Sequence, residues 1–143
     1  MGRFPASQRV RKRPEFQEIQ RSGRRVTTPG FVIILRARAD GAGVRLGVTA
    51  SRRVGGSVVR NRAKRLVREA FRATRDLWDE GLDLVVVVRK AQPDLGLGGV
   101  VAEWRHAAAA LRRRAEQARA DAAARESDLA QRPQTTQTPG RFR

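Results

Sequence analysis

The 143-residue sequence contains no cysteine and no tyrosine, one histidine and one methionine, and only 5% of it is aromatic. Without thiols there can be no disulfide, no cysteine nucleophile and no Cys-ligated zinc, and His106 alone does not make a His-based metal site. No apolar run approaches the roughly 18 residues of a membrane-spanning helix, and the N-terminus lacks the apolar core of a secretory signal. A cytoplasmic protein with no membrane partner is therefore expected. Negative charge is scarce as well: 14 Asp and Glu stand against 31 Lys and Arg, a formal charge of +17. Such an excess repels itself in a compact state, which makes a polyanion the expected partner. The length suits one domain of roughly 100 to 120 residues with tails and leaves no room for a second, catalytic one.

The charge is concentrated in the first half of the chain. Residues 57–75 carry seven basic and one acidic side chain, whereas 76–98 carry two and five. Residues 1–8 are expected to form a basic flexible arm, 9–120 a domain, and 121–143 a frayed helix followed by a disordered, polar tail. Pro14 opens and Gly23 closes a short helix with Phe16 and Ile19 on one face. TTPGFVIILRAR reads as a strand apolar on both sides, with Phe31, Ile33 and Leu35 opposite Val32 and Ile34. After the DGAG turn signal, Val44, Leu46, Val48 and Ala50 alternate with Arg45, Gly47 and Thr49, the pattern of a strand buried on one face.

SRRVGGS then leads into a helix for which Ser57 is the expected cap. LDLVVVVRK suits a central strand covered on both faces and completes a β-α-β unit. Asp76, Asp79, Glu80 and Asp83 form the densest acidic group and read as a solvated helix end and linker in preference to a metal site. A last helix is expected through about residue 120, with Val101, Trp104, Ala108 and Leu111 at core spacing.

The stretch VVRNRAKRLVREAF places five basic residues between Arg60 and Arg68. At about 100° per residue, Arg60, Lys64, Arg68, Asn61, Arg72 and Arg65 fall within one arc of about 140°. Val59, Ala63, Leu66, Val67 and Ala70 fill a separate arc, and Arg62 points elsewhere. Basic helix faces are usually just solvated. Here Glu69 is the only acid within the helix, so like charges at i and i+4 oppose one another in two parallel rows. Phosphates along a nucleic-acid strand would relieve that repulsion. Asn61 adds a neutral donor and acceptor suited to a base edge or a 2′-hydroxyl.

RNRAKRLVREAF, preceded by VRLGVTASRRVGGSVV and followed by DLVVVVRK, resembles the signature of the protein subunit of bacterial ribonuclease P, and the likeness spans about residues 9 to 115. The resemblance implies a small α+β domain, α-β-β-β-α-β-α, with a four-stranded sheet like that of certain ribosomal proteins and a left-handed β-α-β crossover, against the usual preference. It implies a 1:1 complex with a large catalytic RNA that cuts the 5′ leader from precursor transfer RNA. In that assembly the chemistry and the Mg2+ belong mainly to the RNA. No catalytic residue and no metal ligand is therefore expected on the protein itself.

Carried over residue by residue, the resemblance assigns RNA binding to Arg52, Arg53, Arg60, Asn61, Arg62, Lys64, Arg65, Arg68 and Arg72. It assigns a cleft for the single-stranded leader to Phe16, Gln20, Ile34 and Arg53. Gln20 stands where a second aromatic is common and Ile34 where Tyr is common, so leader binding here rests more on charge and less on stacking. Core packing is the competing reading for Phe16 and the favoured one for Ile34. A structural ribosomal protein or general RNA binder remains the alternative. A DNA-binding helix-turn-helix is disfavoured because strand patterns flank the basic helix on both sides.

Overall fold

The computed structural model describes residues 8–39 and 41–131. Asp40 of the DGAG signal, the first seven residues of the expected arm and the tail from 132 onward lie outside the described residues. The strands are β1 (Arg24–Thr27), β2 (Phe31–Ala37), β3 (Arg45–Ala50) and β4 (Leu82–Val88), in the sheet order β1-β2-β4-β3. β2 pairs antiparallel with β1 and β4, while β3 runs parallel to β4. Helix α1 (Arg13–Ser22) precedes the sheet. Helix α2 (Ser57–Ala73) and a 3-10 turn (Arg75–Leu77) carry the chain from β3 to β4, and α3 (Leu97–His106) and α4 (Ala108–Gln131) follow.

The alternation of the strands divides the core in two. Phe31, Ile33 and Leu35 of β2 and Leu84, Val86 and Val88 of β4 face α2, α3 and α4, where they meet Val67, Phe71, Trp78, Trp104 and Leu111. Trp104 is fully buried and stands edge-on to Phe31 and Trp78, with ring centres 6.0 and 5.7 Å away. On the opposite face Ile34 and Val85 join Val10 and Ile19 beneath α1. The unbroken apolar runs of β2 and β4 are thus covered on one side and over part of the other, as their composition predicts. Gly23 ends α1 with an extended backbone. Its need is steric, because a Cβ there would lie 2.6 Å from both the Ile19 carbonyl oxygen and Ile34 Cγ2.

β1 is the first strand of the implied α-β-β-β-α-β-α order, although it is too short and too basic to show in the residue pattern; Val26 is buried and Arg24 is held by Asp121 of α4 through bonds of 2.8 and 2.9 Å. Several expectations are corrected. The last helix divides at Ala107 into α3 and α4. α4 continues beyond residue 120 to Gln131 in place of a frayed end. Its alanines are strong helix formers, Ala115, Ala118 and Ala122 are buried, and Arg125 donates to the Ala37 carbonyl at 2.8 Å. Ser57 is the first residue of α2 and not its cap. The cap position is Gly56, which offers no side chain to the first amides. Asp83 belongs to no solvated linker: it is 3% exposed within β4.

Candidate nucleic-acid interface

Helix α2 buries Val67, Ala70 and Phe71 fully and Ala63 and Leu66 in part, so its apolar stripe lies inward and its basic side chains are left outside. Asn61, Arg62 and Arg65 are exposed, while Arg60, Lys64, Arg68 and Arg72 are half-buried. The difference follows from Phe71, which at about 100° per residue falls between Arg60 and Lys64 and widens the buried stripe toward their row. Arg60, Lys64 and Arg68 therefore run along the shoulder of the helix, and Asn61 and Arg65 form its crest.

Among the described residues no carboxylate pairs with Arg60, Lys64, Arg65 or Arg68. Arg60 instead donates from Nε to the Gly55 carbonyl at 3.2 Å. Burial, and after it the like charge of Arg9, depress the Arg68 guanidinium below its ordinary value. An anion placed there would ease both penalties. Arg62 leaves the ridge, as its helical angle predicts, and donates to the Leu95 carbonyl at 3.2 Å. Arg52 and Arg53 are exposed in the turn that leaves β3.

The second feature is the sheet face beneath α1. The strand register aligns Thr27, Val32, Val87 and Thr49 in one row across all four strands. None of the four is fully buried, so α1 covers only part of this face and an apolar strip remains open beside it. Phe16 is half-buried and its ring occupies the space over Gly47: a Cβ at 47 would fall 2.6 Å from Phe16 Cζ. Gln20 is half-buried too, and its carbonyl accepts a 2.7 Å bond from Arg25. Ile34 is 0% exposed and presents no surface to a ligand, in line with its reading as a packing residue. Phe16, Val32 and Val87 all pack against the same small core, so Phe16 is at once a packing residue and a wall of the strip.

The ridge and the strip are joined at the sheet edge. Val10 donates to the Leu46 carbonyl at 3.0 Å and Arg9 bridges in parallel to Leu46. Val10 is buried under α1, and its neighbour Arg9 lies close enough to Arg68 to repel it. Arg9 and the four-residue strip were not singled out in the sequence. Arg9 sits in an aperiodic basic run, and a strand apolar on both faces does not reveal that one covering stops short.

Beyond the strip, Asp83 accepts from Arg38 at 2.5 Å and from Arg45 at 2.7 and 2.8 Å. Arg45 also donates to Glu15 of α1 at 3.2 Å, and Arg36 and Ser22 engage Glu18. Burial acts to raise the Glu15 carboxyl, but the bond and charge of Arg45 outweigh it and hold the group below its ordinary value. Asp76 is tied to Arg105 and Asp79 to Arg119, each at 2.8 Å, and Glu80 accepts from the Gly43 amide at 2.7 Å. The acidic group from 76 to 83 thus works as tie-points between elements. Among the described residues there is no group of three or more His, Cys, Asp or Glu that could hold a metal ion.

The ribonuclease P family model matches residues 4–114. The ribonuclease P protein component of Desulfatibacillum aliphaticivorans is 42% identical over 88 residues, 62% of this chain and 74% of that one. That of Citrifermentans bemidjiense is 32% identical over 111 residues, 78% of this chain and 94% of that one. Among solved structures, the RNase P protein from Thermotoga maritima superposes with a TM-score of 0.62 at 29% identity, covering 68% of this chain and 92% of that one. With the matched region taking in α1, the whole sheet and α2, the chain belongs to the ribonuclease P protein component family.

Proposed function

We propose that this chain is the RNA-binding protein subunit of a ribonuclease P ribonucleoprotein, pairing 1:1 with a catalytic RNA in the cytoplasm and assisting removal of the 5′ leader from precursor transfer RNA. The observation that carries the reading is the set of α2 cations, Arg60, Lys64, Arg65 and Arg68, that no carboxylate of the described chain neutralises. Phosphates of the catalytic RNA take their place as counterions, with Arg52, Arg53, Arg62 and Arg72 extending the contact and Asn61 bonding a base edge or 2′-hydroxyl. The single-stranded leader lies along Val32 and Val87 beside Phe16 and Gln20, and Arg53 and Arg25 meet its phosphates. A single aromatic wall leaves stacking, worth roughly 1 to 3 kcal/mol per base, at one position and makes charge the larger part.

Among the described residues no acid and base are paired at this surface, and the reading assigns bond cleavage to the RNA and to Mg2+ bound by it. The protein acts by neutralising phosphate where RNA and substrate meet, which lowers the magnesium needed to bring the two together. The test is cleavage of precursor transfer RNA at graded magnesium. The purified protein alone cuts nothing, and its addition to a cognate catalytic RNA lowers the magnesium required at physiological salt. An unchanged magnesium requirement, together with tight binding to ribosomal RNA, would assign the chain to a structural role.

A further inference from the structure

On the sheet face opposite the strip, α2 and the segment from Arg89 to Leu95 enclose an apolar groove of about 270 Å³. Val58, Val59 and Leu66 of α2 line it together with Pro93, Leu95 and Phe31. Val58 is 81% and Val59 42% exposed, although β-branched residues are indifferent helix formers and gain little from water. Around these walls stand Arg62, Lys90 and the Gln92 amide, and no carboxylate lines the groove. Arg62 is the one cation of the RNRAKR motif that the ridge does not use, and its bond to the Leu95 carbonyl fixes it beside the groove.

We propose that this groove is a pocket for one unpaired nucleobase of the catalytic RNA, an inference that rests on α2 lying against that RNA. The apolar walls take the faces of the base, and Gln92 supplies both a donor and an acceptor for its edge. Arg62 and Lys90 meet the phosphates on either side of it. The volume lies below the roughly 300–1,000 Å³ of sites for drug-sized ligands, which suits a single base and not a stacked run. The groove also continues directly from the cationic face of α2, so an RNA held there passes its mouth. A second copy of the chain is disfavoured as occupant because it would bring +17 against +17.

The chain has no cysteine, so Val58→Cys carries a single thiol for a photo-crosslinker. With the reconstituted protein–RNA complex, crosslinks are expected at one or two unpaired nucleotides of the catalytic RNA. Filling the groove through the surface residue Ala91, as Ala91→Leu, should abolish those crosslinks and weaken RNA binding about tenfold, with a smaller change in salt dependence than Arg65→Ala/Arg68→Ala produces, since the α2 ridge keeps its phosphate contacts. Crosslinks scattered along the RNA, crosslinks to another protein copy, or unchanged affinity in Ala91→Leu would each overturn the pocket. If the pocket fails while Arg65→Ala/Arg68→Ala still flattens the salt dependence, the α2 interface stands without it. If neither responds, the interface itself is wrong.

Discussion

Arg45 and Asp83 are register partners on the parallel β3–β4 pair, and the Arg45 guanidinium grips both carboxylate oxygens, at 2.7 and 2.8 Å. Arg38 binds the same carboxylate from β2's end, and Arg45 reaches on to Glu15 of α1. A carboxylate that is 3% exposed therefore fixes, through one arginine, the helix that walls the open strip. Position of the proposed leader site and stability of the fold are set by the same contact.

Removing that carboxylate strands two arginines in a largely buried setting. Asp83→Ala should lower unfolding free energy by about 3 kcal/mol, in the range for breaking a buried pair on one side. Urea denaturation measures it. A loss below about 1 kcal/mol would mean the cluster behaves like a solvated surface pair.

Gly47→Ala should act on the strip and spare the ridge. The new methyl would meet the Phe16 ring at 2.6 to 2.7 Å, so the ring and α1 must shift. Overpacking of this kind costs about 1–3 kcal/mol. Affinity of the assembled enzyme for precursor transfer RNA with its leader should fall, while affinity for leaderless transfer RNA and for the catalytic RNA holds. Equal losses for all three would place Phe16 outside any leader site.

Acid should loosen the fold from its ion pairs. The bonds from Arg24 hold the Asp121 carboxyl below its ordinary 3.8, and Arg45, against the effect of burial, holds Glu15 below its ordinary 4.5. Because the folded chain binds these protons less readily than the unfolded chain, the stabilisation is complete above about pH 5 and is lost as pH falls through the folded values. Thermal midpoints should be level from about pH 8 to 5 and drop below about pH 4. Asp121→Asn should make the drop shallower, and a midpoint that rose on acidification would contradict the pairing.

Much of this was legible in the residues. The two-sided apolar runs of β2 and β4 announced a doubly covered sheet, and the helical angles of the α2 residues separated Val67 and Ala70 from Lys64 and Arg65. Three things were hidden for physical reasons. β1 is four residues held by pairing and by Arg24–Asp121, neither of which a local pattern records. Asp83 looked like part of an acidic linker because its partners are distant in sequence, at Arg38 and Arg45. The half-buried state of Lys64 and Arg68 depends on Phe71, whose position on the wheel breaks the clean division between the two arcs.

The most direct test of the account is the salt dependence of catalytic-RNA binding by Arg65→Ala/Arg68→Ala. Losing two phosphate contacts should reduce the slope of log affinity against log salt by about 1.5, with the circular dichroism and urea midpoint of the parent chain retained. A folded double variant that keeps the parental slope would show that α2 does not carry the phosphate contacts, and the central claim would fall.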